Sequence, residues 1–474
     1  MHLLSEATDP EDAYEVWLAP KNYHLPVKMK FFAGRFPIEL IATKAPAASP
    51  PAGWPLVLTP FLPERALTSF PRQVCMSFTP AQFNTLVEAL TVVLPLTSPA
   101  DVQLKRFFRE HAKLGVRDRA LIAETVYAVL RHRRTIESIA TDGVPRKMAL
   151  LALTRFQGIS SRELMTVLKK AKSSWLSEGK SNLPVNPPLG VAAELPDWII
   201  ARLKGFMSDK EILALGRSMM NPAPLDLRVN TTKGKRDAVL EQLRRGGISG
   251  QATPHSPIGI RLESKVSLAQ HAAFLEGFVE VQDEGSQLLG LLVEAKRSEM
   301  VVDFCAGAGG KSLLLGAAMA STGRVYAFDV SEKRLTNLGP RLKRSGLSNI
   351  TPQKIESEND ARIKRLAGKI DRVLVDAPCT GLGTLRRNPD LKWRQSEQSL
   401  QELNVTQPAI LKSASRLVKP GGRLVYATCS FLPEENEHIV ENFLRAHTDF
   451  KLVPASQVVK RLKWPLENIS EYFK

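Results

Sequence analysis

Cysteine is scarce in this 474-residue chain. The four present, Cys75, Cys305, Cys379 and Cys429, are too few to staple so long a polypeptide, and none stands in a C-x-x-C or Cys/His spacing suited to zinc. No metal site is expected, and any cysteine that matters acts as a thiol. Long apolar runs are missing too. No stretch approaches the roughly 18 uninterrupted apolar residues of a membrane span, and the N-terminus lacks the basic-then-apolar order of a secretory signal. The expected location is therefore the cytoplasm, away from any membrane. Acid is short relative to base: 65 Lys and Arg face 48 Asp and Glu, a formal charge of +17. Such an excess draws in polyanions by releasing their counterions, which makes nucleic acid the expected partner. What is plentiful is apolar residue, 43 % of the chain, enough to bury cores in roughly two to four domains.

Residues 1–75 show no sustained periodicity, and 44–55 (KAPAASPPAGWP) is rich in Pro and Ala, so a poorly ordered extension is expected there. Thr79-Pro80 then reads as an N-cap followed by a first-turn proline, opening a helical domain over 76–190. Lys105, Arg106, Arg109, Lys113, Arg117, Arg119, Arg131, Arg133 and Arg134 crowd its early helices, a basic face suited to RNA. Ser, Gly, Asn and Pro over 173–191 mark a linker. Residues 191–293 mix helical segments with short strands such as LDLRVN at 225–230, which implies a small α/β domain. A last domain spans 294–474.

In that last domain the strands MVVDF, RVYAFDV, RVLVDAP and GGRLVYATC alternate with helical stretches. The fold class implied is α/β, a doubly wound, Rossmann-like parallel sheet with both faces covered. Ligands of such sheets sit beyond the carboxyl ends of the strands. The first strand runs into DFCAGAGGK at 303–311. A Walker A loop would need Gly at Cys305 and a dinucleotide fingerprint would need Gly at Ser312, so both phosphate-binding templates fail by one residue. The next strand ends at Asp329, where a carboxylate can accept hydrogen bonds from ribose hydroxyls. An adenosine-containing cofactor without a pyrophosphate suits this pattern, and S-adenosyl-L-methionine fits; its candidate contacts are Cys305, Ala306, Gly307, Ala308, Gly309, Gly310, Lys311 and Asp329.

Two cysteines stand at the ends of later strands, Cys379 in DAPCTG and Cys429 in ATCS. If those strands are neighbours, both thiols face one pocket. Carbon 5 of cytosine is a poor nucleophile; a thiolate that adds at carbon 6 turns the ring into an enamine able to take an electrophilic methyl group. Asp376, three residues before Cys379, is suited to protonate or hydrogen-bond N3 of the ring. Spacing leaves open which thiol attacks: DNA cytosine methyltransferases use the cysteine of a Pro-Cys pair, and a second thiol on an adjoining strand is equally feasible.

Taken together, Leu195-Pro196-Asp197-Trp198, LRVN at 227–230, EGFVEVQDEGSQL at 276–288, DFCAGAGGK, DAPCTGLGTLRRNPDLKW at 376–393 and ATCS resemble the RsmB/NOP (Sun/Fmu-like) family of RNA cytosine-5 methyltransferases. The resemblance implies a class I methyltransferase sheet, S-adenosylmethionine as cofactor, Cys429 as nucleophile, Cys379 in product release, and cofactor contacts from 305–311, Asp329 and Asp376. For the acid on the adenine side it points to Asp360 in NDAR at 359–362, with Glu356 as competitor. It also likens 117–134 (RDRALIAETVYAVLRHRR) to a NusB-like RNA-binding domain, and favours 16S ribosomal RNA as substrate of a monomeric enzyme. One departure stands out: the family's C-A-A-P-G-G-K is here C-A-G-A-G-G-K, with Ala308 in place of proline. Arg386, Arg387, Lys392 and Arg394, interleaved with Trp393, are suited to holding phosphates and stacking a base. Two other functions remain on the table, a DNA cytosine-5 methyltransferase and a catalytically idle RNA-binding ribosome assembly factor.

Overall fold

The structure is a computed structural model that describes residues 79–160, 163–164, 186–264 and 266–461, with the backbone of strands β1 (Leu3–Ser5) and β2 (Glu15–Pro20). The expected extension over 1–75, β1 and β2 apart, and most of the linker expected over 173–191 lie outside the described residues. The chain forms two compact units, Ile41–Pro196 and the combination of Met1–Leu40 with Asp197–Lys474. Among the described residues no helix is long and apolar enough to cross a membrane, and no cluster of three or more His, Cys, Asp or Glu is arranged to hold a metal.

The described residues of the unit Ile41–Pro196 form helices. Its opening helix, Pro80–Val93, begins as the sequence predicts: the Thr79 hydroxyl accepts from Gln82 N, the Gln82 side chain accepts from Thr79 N at 3.1 Å, and Pro80 occupies a position that needs no donor. Helices Ala100–Glu110, Val116–Arg131, Arg133–Ile139 and Pro145–Leu151 follow, packed around buried Phe83, Leu86, Leu90, Phe107, Val126 and Leu130. Several of the basic residues have partners on their own helix. Lys105 pairs with Asp101 at 3.0 Å, Arg106 with Glu110 at 2.9 Å and Arg133 with Glu137 at 2.6 Å, one turn apart as helical geometry requires. Arg119 donates to the carbonyls of Leu114 and Ala112.

The second unit carries two sheets. The smaller is antiparallel, in the order β4 (Gly250–Ala252), β5 (Gly259–Leu262), β3 (Leu225–Val229), β6 (Val279–Val281). Leu227, Val229, Ile260 and Val279 bury one face of it against Val239 and Leu243 of helix Arg236–Arg245.

The larger sheet contains β7 (Met300–Asp303), β8 (Arg324–Asp329), β9 (Ile350–Lys354), β10 (Ile370–Asp376), β11 (Val418–Thr428) and β12 (Lys451–Pro454). Its order is β1-β12-β2-β11-β10-β7-β8-β9, and the five strands from β11 to β9 run parallel. Helices cover both faces over two buried clusters, one around Leu289, Leu313, Leu315 and Val425, the other around Phe304, Phe328, Leu411 and Tyr426. Chain order reverses between β7 and β10, since β7 continues to β8 on one side and β10 to β11 on the other. That switch point opens a crevice at the carboxyl ends of β7 and β10. Strand β9 (ITPQK) is absent from the four strand-like runs above; it is an edge strand, paired with β8 alone, and so tolerates Pro352 and polar residues.

Candidate active site

Strand β7 delivers Asp303 to the crevice, and the chain then turns sharply into helix Gly310–Ala318. Gly309 makes the turn at φ +77°, where an added Cβ would come within 2.2 Å of Leu338 Cδ1, so glycine is required there. The turn is tied down from several sides. Asp329, at the end of β8, accepts from Gly307 N at 2.8 Å and Ser331 N at 2.7 Å. Arg341 donates to Ala308 O at 2.6 Å, and Arg228 donates to Gly310 O at 2.6 Å and to the Gln282 side chain at 2.7 Å. Burial pulls the Arg228 guanidinium down to about 10, which leaves it charged at neutral pH.

A cavity of about 340 Å³ opens against this turn, lined by Val281, Gln282, Asp283, Ser286, Asp303, Cys305, Ala306, Gly310, Lys311, Arg341, Asp376 and Arg387. Asp303 is 1 % exposed; its Oδ2 accepts from Ser312 Oγ at 2.7 Å, while its Oδ1 is buried with no hydrogen-bond partner. Burial pushes this carboxyl up to about 6; the Ser312 hydrogen bond and Lys311 pull the other way, and the charges of Asp376 and Asp329 add to the rise. Lys311 Nζ reaches Asp376 Oδ2 at 2.6 Å, an ion pair between two residues 65 positions apart. Cys305 is pushed well above the usual thiol range, first by burial and then by Asp376, Asp303 and Asp329. Burial therefore favours the neutral thiol at this position.

Strands β10 and β11 are parallel neighbours in which Asp376 pairs with Ala427. Cys379 and Cys429 follow that pair by three and two residues, half-buried, with Sγ atoms 3.1 Å apart. Cys429 N donates to Cys379 Sγ at 3.2 Å, and Cys429 O accepts from Gly383 N at 2.8 Å. Gly381 turns the Pro-Cys loop at φ +72°; a Cβ there would lie 2.9 Å from Leu391 Cδ1 and 4.0 Å from Cys429 Sγ.

Of the residues singled out from sequence, Cys305, Ala306, Gly310, Lys311 and Asp376 line the cavity, and Gly307, Ala308, Gly309 and Asp329 stand behind it as its frame. Cys379 and Cys429 are brought together beyond the strand ends. Asp360 is not brought to the cavity: its carboxylate accepts from Arg362 N at 2.8 Å and Glu356 N at 3.0 Å, capping helix Ala361–Lys364. Glu356 is exposed, one residue past Ile355, whose N–H donates to Asp329 O at 3.1 Å. Arg386 and Arg387 are occupied within the protein. Arg386 donates to the carbonyls of Asn221 and Pro222, and Arg387 to Pro224 O and, at 2.7 Å, to Asp283. They clamp the Pro-Cys loop to the segment leading into β3. Asp303, Arg228 and Gln282 stand within the runs DFCAGAGGK, LRVN and EGFVEVQDEGSQL without a role assigned to them from sequence, and Arg341 stands in none of those runs, because their roles arise from contacts between distant segments.

Residues 290–468 match the family described as 16S rRNA methyltransferase RsmB/F, and residues 195–269 match its ferredoxin-like domain. A probable ribosomal RNA small subunit methyltransferase B of Synechocystis is 31 % identical over 392 residues, 75 % of this chain and 87 % of that protein. The chain belongs to the RsmB/F family. The ribosomal RNA small subunit methyltransferase B of Salmonella paratyphi C is 35 % identical over 260 residues, of which the match spans 54 % of this chain and 59 % of that protein. The crystal structure of PH0851 superposes with a TM-score of 0.67 at 28 % identity, covering 78 % of this chain and 90 % of that one.

As an RsmB/F methyltransferase the chain takes S-adenosylmethionine as its cofactor. The residues present fit that molecule. It carries two positive centres, a sulfonium and an amine, and the cavity offers a buried carboxylate oxygen without a partner on Asp303, with Asp376 on the same wall and Asp329 behind. At Gly307 an added Cβ would meet nothing within 4 Å, so the backbone there is open to close approach. Ala308, where the resemblance leads to an expectation of proline, has its carbonyl fixed by Arg341.

Proposed function

We propose that this RsmB/F member methylates carbon 5 of a cytosine in 16S ribosomal RNA, as a cytoplasmic monomer, with Cys429 as nucleophile, Cys379 in product release and Asp376 at N3 of the ring. The observation that carries the reading is the pair of half-buried thiols, 3.1 Å apart, at the ends of neighbouring strands of which one ends in Asp376. A single thiol would suffice for attack; two in contact suit a reaction that must both form and break a carbon–sulfur bond. In this reading 76–190 is a basic RNA-binding bundle, 191–293 helps seat the RNA, and 294–474 is catalytic.

S-adenosylmethionine, held by 305–311, Asp303, Asp329 and Asp376, supplies an electrophilic methyl group. Cys429 adds to carbon 6 as its thiolate while the proton given up by the thiol goes to N3, where the Asp376 carboxylate accepts a hydrogen bond from it, and the protonated N3 draws electron density away from carbon 6. Lys311 holds the Asp376 carboxylate in place. After methylation a base removes the proton on carbon 5 and the bond from carbon 6 to Cys429 breaks, with Cys379 assisting. For the acid on the adenine side, Glu356 suits the role better than Asp360, because it follows directly on the segment bonded to Asp329 and its carboxylate is not used as a cap. Reaching a paired cytosine would require flipping it from its stack.

The test is a comparison of Cys429→Ser and Cys379→Ser on 16S ribosomal RNA fragments in the presence of cofactor. Cys379→Ser should leave a protein–RNA complex that survives denaturation, and Cys429→Ser should form none. The reverse pattern, on DNA oligonucleotides, is what a DNA cytosine-5 methyltransferase predicts. No heat of binding on calorimetric titration with S-adenosylmethionine is what an idle assembly factor predicts. Either result overturns the reading.

A further inference from the structure

The reading above, on which this inference rests, requires two thiols held at a fixed separation yet assigned different tasks. Beneath them lies a polar cluster that the chemistry so far has not used. A short turn after β11, Pro433–Glu435, presents Glu435 and then Asn436, both fully or almost fully buried. The two side chains serve different loops. Glu435 Oε1 accepts from Thr380 N at 2.8 Å and from Gln407 Nε2 at 3.0 Å, and its Oε2 accepts from Thr380 Oγ1 at 2.5 Å. Gln407 Nε2 also donates to Pro378 O at 2.9 Å. These contacts end on Pro378 and Thr380, the two neighbours of Cys379. Asn436 Oδ1 accepts from Thr428 Oγ1 at 2.5 Å, and its Nδ2 donates to Ser430 O and Leu432 O, each at 3.0 Å. Thr428 and Ser430 are the two neighbours of Cys429.

One hydroxyl contact, Thr380 Oγ1 to Ser430 Oγ at 3.2 Å, joins the two halves. A carboxylate taken out of water is unfavourable unless its lone pairs are filled. Apolar side chains would pack this interior without that cost, but they would not fix the direction in which each thiol loop leaves its strand. Hydrogen bonds to main-chain N–H and C=O groups do fix it.

We propose that Glu435 and Asn436 are paired positioning residues with separate tasks, Glu435 holding the thiol of Cys379 for release and Asn436 holding that of Cys429 for attack. Neither touches substrate. Their effect on the reaction runs through the loop that each one grips, so their loss should produce opposite signatures in the amount of covalent intermediate.

The experiment measures denaturation-resistant protein–RNA adduct and methyl turnover for Glu435→Ala and Asn436→Ala in the full-length chain, with cofactor affinity by calorimetry as the check on the catalytic fold. Misplacing a reacting group by about an ångström typically costs on the order of a hundredfold, so Glu435→Ala should raise the steady-state adduct by at least about tenfold while turnover falls. Asn436→Ala should lower adduct and turnover together by at least about tenfold. In both, cofactor affinity should stay within about threefold of the parent. A merely structural role would depress adduct in both variants alike, and that result overturns the proposal. Should either alanine variant fail to bind cofactor, the isosteric pair Thr380→Val and Thr428→Val removes one hydroxyl from each grip. Adduct should then rise in the first and fall in the second, and a change in the same direction in both overturns the proposal. Cys379→Ser and Cys429→Ser in the same assay separate the two levels of inference. If Cys379→Ser does not trap adduct, the assignment of the thiols is wrong; if it does and Glu435→Ala does not, the positioning role alone is wrong.

Discussion

Asp303 illustrates how a single residue records its ligand. Its Oδ1 is buried without a partner and its carboxyl titrates near 6, above the usual 3.8 for this group, because burial disfavours the charged form. The folded protein therefore keeps a proton that the unfolded chain has released. Between about pH 4 and pH 6 the unliganded protein loses stability as pH rises, and above that window the full penalty, on the order of 3 kcal/mol, is present. A cationic ligand reverses the balance, since it favours the carboxylate. Affinity for S-adenosylmethionine should fall as pH drops through about 6, measured by calorimetry across that range. Asp303→Asn should flatten this pH dependence, weaken cofactor binding, and raise the melting temperature of the unliganded protein at pH 8 more than at pH 4. A melting temperature that is unchanged at pH 8 would contradict the assigned burial cost. The cysteines divide in the same way: iodoacetamide at pH 8 should label Cys379 and Cys429 well before Cys305, whose thiol is held neutral by burial, as read by peptide mass spectrometry. At this scale the sequence was most informative where a short motif ends a strand, as in DAPC and ATCS, whose two thiols the fold brings together. It was silent on the pairing of Lys311 with Asp376, because nothing local marks two residues 65 positions apart as partners.

At the scale of elements, the crevice is made by the turn between β7 and the helix Gly310–Ala318, and that turn is held from outside. Gly309→Ala would place a methyl group against the side chain of Leu338 in a left-handed backbone, at a cost of about 2–3 kcal/mol. Differential scanning calorimetry should register the loss, together with weaker cofactor binding. Arg341 reaches the same turn from helix Glu332–Ser345, pairing with Glu280 at 2.9 Å while donating to Ala308 O. Arg341→Leu should weaken cofactor binding about tenfold, a loss typical of one charge-assisted hydrogen bond, and leave Cys379 and Cys429 as reactive toward iodoacetamide as in the parent. Four strands of the parallel sheet were legible as apolar runs because both of their faces are covered. β9 was not, since an edge strand with Pro352 carries little of that signal. From sequence Arg386 and Arg387 are suited to holding phosphates, whereas in the fold Arg386 donates to Asn221 and Pro222 and Arg387 to Pro224 and Asp283; charge in a sequence says nothing of which carbonyl or carboxylate will meet it. Asp360 failed for a related reason. An acid just before a short helix is suited to capping as much as to ligand binding, and here the cap wins.

For the whole molecule, the excess of 65 basic over 48 acidic residues sets how it meets RNA. Part of that charge is neutralised within helices of the first unit, yet a net +17 remains. Affinity for ribosomal RNA should fall at least about tenfold between 50 and 200 mM salt, in filter-binding or fluorescence titrations, while S-adenosylmethionine affinity changes little because its contacts are buried. A salt-insensitive RNA affinity would mean that the positive field is not what recruits the substrate. Composition and periodicity lead to an expectation of four segments along the chain; the crevice between β7 and β10 follows from strand order, which no single stretch of sequence states. The central claim is that Cys429 forms the bond to the base. It is tested most directly by incubating the full-length protein and S-adenosylmethionine with 16S ribosomal RNA carrying 5-fluorocytosine, then digesting the trapped complex and locating the modified peptide by mass spectrometry. The account predicts the nucleotide on Cys429; a nucleotide on Cys379, or no adduct with an RNA that is methylated in its unfluorinated form, would contradict it.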